Sequence, residues 1–156
     1  MDEVTSSDEL VRLLHDIKQL ARRYYEITKR PLGITGEIAE YEATRILGLE
    51  LSPVRQAGYD AVRKTESGVQ RLQIKGRLLG SSAKLGQRLG ALDLRKEWDA
   101  VVLVILDECF EPTALYEADR SAICDALTVP GSRARNERGQ LSVGKFKSIG
   151  RQVWPN

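Results

Sequence analysis

Asp60, Gln73 and Lys75 are the residues whose types and spacing suit chemistry. They lie in the stretch 58–77, GYDAVRKTESGVQRLQIKGR. It reads as a β-hairpin with one arm over 59–63, the other over 69–77, and a Ser-Gly turn signal at 67–68. Side chains alternate along a strand, so Leu72 and Ile74 point one way while Arg71, Gln73 and Lys75 point the other. A two-residue loop places Asp60 opposite Gln73 if the loop is Glu66-Ser67, and opposite Lys75 if it is Ser67-Gly68. A carboxylate, an amide oxygen and an ammonium then converge on one side of a sheet. The two oxygens suit a hard divalent cation such as Mg²⁺. A lysine beside them can orient a water or neutralise charge developing on a phosphate. Any hairpin with one wet face shows the same alternation, so the elements around it decide how much the pattern means.

A long helix comes first. Ser6 or Ser7 can cap it, and it runs to about Lys29, with apolar residues at Leu10, Leu13, Leu14, Ile17, Leu20, Ala21, Tyr24 and Ile27. Pro31 and Gly33 end it. Such a helix can pack across a sheet or meet a second copy of the chain, which makes a homodimer a candidate assembly. His15 falls beside the apolar stripe and reads as a surface or boundary histidine. A second helix starts near Gly36, with Thr35 as N-cap, and ends near Leu47 before Gly48. Ala39, Ala43 and Ile46 make its buried face, and Glu37, Glu40 and Thr44 a separate stripe. Glutamates in a first turn also complement the helix dipole.

The segment 49–57 reads as an extended approach to the hairpin, broken by Pro53. After Arg77 a Gly- and Ser-rich stretch predicts a long loop with a short helix or turn. The run AVVLVIL at 100–106 suits a central strand buried on both faces. Residues 113–117 read as another strand, and Asp119 caps a short helix to about Leu127. PGSRARNERG reads as a flexible basic loop, and 141–149 as a weakly alternating last strand or irregular segment. The organisation is one domain: 1–30 the N-terminal helix, 35–127 the core, 130–156 a basic C-terminal segment.

The composition, 156 residues with 42% hydrophobic and 29% charged, is that of a soluble globular domain. No apolar run approaches the roughly 18 residues needed to span a bilayer, and the acidic start MDEVTSSDEL argues against a secretory signal. Cys109 and Cys124 match no metal-ligand spacing, and with one histidine no zinc site is available. Free thiols fit a reducing cytoplasm. Net charge is only +2, yet basic residues cluster. Lys75, Arg77, Lys84 and Arg88 form one acid-free run. Arg133, Arg135, Arg138, Lys145, Lys147 and Arg151 form another, interrupted only by Glu137. Such runs are solvated surface or phosphate-binding surface. No Gly-rich phosphate loop, serine nucleophile elbow or histidine triad is present.

The order of helix with glutamates, hairpin with Asp then Gln-x-Lys, and buried strand resembles the PD-(D/E)XK nuclease superfamily, the restriction-endonuclease-like fold. Glu37 or Glu40 in GEIAEYEA, Asp60 in GYDA, and Gln73 and Lys75 in QIK carry the resemblance. It implies an α/β (α+β) fold with a central mixed sheet flanked by helices. It implies a DNA endonuclease of restriction, repair or junction-resolving type that uses Mg²⁺ or Mn²⁺. Asp60 would be the principal metal ligand, Gln73 a weaker one through its carbonyl, Lys75 the group that positions water, and Glu37 or Glu40 would complete the metal shell. Arg77, Lys84, Arg88, Arg133, Arg135, Arg138, Lys145 and Lys147 would hold DNA phosphates.

Two departures qualify the resemblance. Gln73 stands where Asp or Glu is usual, which lowers the negative charge of the site. The superfamily also places a helix between its third and fourth strands, and the link from 106 to 113 is too short for one. The alternative function is a catalytically inactive module on this fold that binds nucleic acid or a partner protein.

Overall fold

A computed structural model of the chain describes residues 2–53, 58–80 and 86–156. The helix α1 (Asp2–Thr28) is followed by α2 (Thr35–Leu47) and the short strand β1 (Glu50–Leu51). The hairpin is β2 (Ala61–Thr65) and β3 (Gly68–Leu78), and the central strand β4 is Ala100–Leu106. Then come β5 (Pro112–Asp119), α3 (Arg120–Thr128), α4 (Arg133–Asn136), α5 (Val143–Ile149) and β6 (Arg151–Trp154). Among the described residues the strands form one mixed sheet in chain order. β1, β2 and β3 run antiparallel, β3 and β4 parallel, and β4, β5 and β6 antiparallel.

The AVVLVIL run is β4, and every one of its residues is buried, as the expected two-sided central strand requires. Its alternate residues divide the core. Ala100, Val102, Val104 and Leu106 join Leu72 and Ile74 of β3 beneath α1 and α2. Val101, Leu103 and Ile105 face the other way, onto Trp98, Ile123 of α3, Phe146 of α5 and the segment around Leu89 and Leu92. Trp98 and Tyr116 therefore serve in packing.

α1 begins before Ser6 and ends at Thr28, after which Lys29 turns left-handed with φ 57°. Thr35 is the first residue of α2 rather than its cap: Ile34 occupies the cap position without a side-chain bond. Gly48 closes α2 in the left-handed conformation, with φ 63°. Ile38, Ala39, Glu42 and Ala43 are the buried residues of α2, and Ile46 is only half-buried. β1 lies within the expected extended approach and pairs with β2 through Glu50–Val62 and Leu51–Ala61. It therefore counts as the first strand. The third-to-fourth link is then 79–99, a crossover between parallel strands, rather than the short 106–113 connection. Its described residues contain no helix.

The C-terminal segment departs most from expectation. The basic loop contains α4, capped by Ser132 through a bond from the Arg135 amide. The expected last strand over 141–149 is α5, because Ser142 accepts from the Lys145 amide and Val143 and Phe146 bury one helical face. The true last strand, β6, follows it and pairs with β5. Asp119 caps α3 as expected, accepting from the Ala122 amide. Among the described residues no helix is long and apolar enough to cross a membrane.

Candidate active site on the hairpin

The hairpin register resolves the two readings of its loop. Thr65 pairs with Gly68, so Glu66-Ser67 is the loop, and Ala61 pairs with Leu72. One pair further from the loop, Asp60 falls beside Gln73, just before β2 begins. The main chain still pairs there: the Asp60 amide donates to the Leu72 carbonyl at 2.8 Å. The Asp60 carboxylate then extends the ladder, accepting from the Ile74 amide at 2.7 Å through Oδ2. One carboxylate oxygen is fixed by β3, and among the described residues Oδ1 has no partner.

Gln73 is 8% exposed, and its amide group donates from Nε2 to the Gly58 carbonyl at 2.7 Å. A carbonyl can only accept, so this contact fixes which end of the amide faces Gly58. Oε1 must point away, and it is a buried oxygen without a hydrogen-bond partner. Buried side-chain oxygens rarely go unpaired. Gly58 holds its carbonyl in place with φ 98°, a conformation that favours glycine. A Cβ there would also crowd the Glu97 carbonyl at 3.1 Å.

Lys75 sits two residues on, half-buried, without an ion pair or hydrogen bond among the described residues. Burial pushes its ammonium pKa down, Asp60 partly opposes this, and Arg77 and Lys96 push the same way as burial. Lys96 had no signal in the sequence. It reaches the site because the 96–97 segment runs past Gly58. Gly90 lies closer still: a Cβ on it would be 3.9 Å from Lys75 Nζ and 3.8 Å from the Arg77 guanidinium.

α2 supplies the glutamate. Gly76 of β3 lacks a Cβ, and one built there would stand 2.6 Å from the Ala39 Cβ and 3.0 Å from the Thr35 carbonyl. The helix therefore lies directly on the strand, with Ala39 at the contact and Glu40 next to it. Glu40 is half-buried and its carboxyl is pushed up, first by burial, then by Asp60, then by Glu37. Glu37 is exposed one turn earlier. The position of Glu40 relative to Asp60 makes it the stronger candidate of the pair.

Asp60 is thus the common neighbour: it acts on Glu40 and on Lys75, and Gln73 lies next to it across the hairpin. Carboxylate and amide oxygens fit Mg²⁺ or Mn²⁺, with water completing the shell. Among the described residues no three His, Cys, Asp or Glu side chains cluster as a metal group.

The basic residues divide. Arg77 donates to the Arg88 carbonyl at 2.6 Å and the Gly76 carbonyl at 2.5 Å, and burial pushes its pKa down. Arg88 is exposed and bridges to Ser142, while Leu89 donates to Leu141 and Leu92 to Gly139. The two basic stretches are therefore laced together by main-chain bonds. Exposed Arg138, Lys145 and Lys147 lie on or near that lacing, with Lys147 over the Tyr116 ring at 5.1 Å. Arg133 is held by Glu137 at 3.1 Å, and Arg135 donates to the Val129 and Pro130 carbonyls. Lys84 lies outside the described residues. Compared with protein-family models and with curated proteins, the chain matches none.

Proposed function

We propose that this protein is a metal-dependent endonuclease that hydrolyses DNA phosphodiester bonds on a restriction-endonuclease-like fold. The observation that carries the reading is the orphaned oxygen of Gln73, a residue whose amide end is held by Gly58 and which neighbours Asp60 across the hairpin. A cation would satisfy it, where an ordinary wet hairpin face would leave it to solvent. The antiparallel β1–β2–β3 meander, the crossover to parallel β4 and the glutamate-bearing α2 against β3 add support from topology.

Bound Mg²⁺ or Mn²⁺ would polarise the phosphoryl group and lower the pKa of water. Asp60 and Gln73 would hold the ion, and Glu40 would complete its charge. Lys75, half-buried and without an ion pair among the described residues, would orient the attacking water and neutralise charge on the phosphate. Arg77, Arg88, Arg138, Lys145 and Lys147 would position the duplex through phosphates without reading sequence.

The test is cleavage of supercoiled and linear DNA in Mg²⁺ and in Mn²⁺, with Asp60→Ala in parallel. Metal-dependent nicking that disappears in the variant is the expected result. Equal nicking by both proteins removes the mechanism. A second reading, a non-catalytic nucleic-acid- or protein-binding module, draws on the missing third carboxylate. It predicts no cleavage and no Mg²⁺-dependent rise in thermal stability.

A further inference from the structure

α1 carries two apolar rows, and only one is covered. Leu14, Lys18, Ala21 and Tyr25 are buried or half-buried, with Ala21 in the core and Lys18 bonded to Glu42 and Glu111. The other row is Leu10, Leu13, Ile17, Leu20, Tyr24 and Ile27. Leu20 is 64% exposed and Ile27 76%, and Leu10, Leu13 and Tyr24 are also exposed. Apolar residues in such number on one exposed strip mark an interaction surface. Their spacing is three, four, three, four, three, the 3.5-residue period of a coiled-coil seam and not the pattern of a helix lying on a sheet. The strip runs about 26 Å at 1.5 Å per residue.

We infer that this face pairs with α1 of a second copy of the chain, antiparallel, about a two-fold axis near Ile17 and Leu20. Charge selects the partner and the direction. The row flanking the seam, on the side away from the domain, is Glu9, Asp16 and Arg23. It is acidic in the first half and basic in the second. In an antiparallel pair Leu10 packs near Ile27 of the other copy, Leu13 near Tyr24, and Ile17 near Leu20. That register sets Asp16 against the other copy's Arg23, a pairing that occurs twice. A parallel pair would place these flanking charges against the opposite flank, which is Leu14, Ala21 and Thr28, with no complementary charge. Self-complementarity of this kind is what an isologous two-fold interface requires.

Sedimentation equilibrium of the full chain tests the inference, with circular dichroism as the check on folding. A species of twice the chain mass is expected. Leu20→Glu and, at the end of the seam, Ile27→Glu should each give a monomer with unchanged helical content, because both side chains are exposed within one chain. Asp16→Arg alone and Arg23→Asp alone should weaken the dimer, and the double exchange should restore it. A wild-type monomer at every concentration overturns the proposal. So does a dimer indifferent to Leu20→Glu, or a double exchange no better than either single change. None of these readouts depends on nuclease activity.

Discussion

The cluster of Lys18, Glu42, Arg45 and Glu111 and the cluster of Asp60, Gln73, Lys75 and Glu40 both draw charge out of water, yet they end in opposite electrostatic states. In the first, every charge is matched. Lys18 contacts Glu42 at 2.6 Å and Glu111 at 3.1 Å, and the second Glu42 oxygen takes Arg45 at 2.6 Å. Burial pushes Lys18 down, but the two glutamates outweigh it and the net direction is up. In the second cluster, burial wins: Lys75 is pushed down, Glu40 up, and the Gln73 oxygen has no partner. Matched burial fixes α1 to α2. Unmatched burial shifts both groups toward their neutral forms, the kind of perturbation that gathers where side chains do chemistry.

The contrast breaks most easily by substitution at the two lysines. Lys75→Ala should lower DNA cleavage about 10²- to 10³-fold, the range for losing one preorganised charge at a reacting group. Its thermal midpoint should hold or rise, since a half-buried unpaired ammonium is removed. Lys18→Met should do the reverse. Glu42 is 2% exposed and would keep only Arg45, so urea unfolding should show a loss of about 3 kcal/mol. The Mg²⁺-dependent shift in midpoint should survive. A Lys75→Ala protein that unfolds early, or a Lys18→Met protein that only loses cleavage, would erase the distinction.

A smaller effect is expected where the two clusters share α2. Gly76→Ala forces a Cβ against Ala39 and should cost about 2 kcal/mol, as overpacking does. Adding Ala39→Gly should recover part of it. If Gly76→Ala is neutral, α2 has another way to sit on β3 and the placement of Glu40 is not fixed by this contact.

Much of the hairpin was legible because strand alternation is strict: a period of two leaves Gln73 and Lys75 no choice of face once Leu72 and Ile74 are inside. The loop length was not legible, since Glu66-Ser67 and Ser67-Gly68 are both acceptable turns. Glu37 and Glu40 could not be ranked either. What ranks them is the nearness of Glu40 to Asp60 once Ala39 seats α2 on Gly76, and nothing local to either stretch announces it. α5 was misread because Val143 and Phe146 in a seven-residue helix leave too few repeats to separate the two periods, although Ser142 was there as a cap. The basic run at 133–138 reads equally as solvated or as phosphate-binding surface. The carbonyls of Val129 and Pro130 that occupy Arg135 belong to the fold.

The subtlest prediction concerns Glu40 and has a definite sign. Its carboxyl is raised above the ordinary 4.5 in the native state. Between that value and the raised one, the native state binds more protons than the unfolded chain, so stability falls as pH rises through the window. The contribution is whole below 4.5 and gone once native Glu40 has ionised. Glu40→Gln cannot ionise, so its stability should lack this slope. At neutral pH without metal it should exceed wild type by no more than about 1 kcal/mol, because solvent reaches the group and screens it. Mg²⁺ should reverse the order: the wild-type carboxylate gains a cation to face, and the amide gains less. Thermal unfolding at several pH values, with and without Mg²⁺, reads both effects at once. If the two proteins keep parallel pH profiles, Glu40 is not raised by burial or by its acidic neighbours. If Mg²⁺ shifts both equally, Glu40 stands outside the ion's shell and the site rests on Asp60 and Gln73 alone.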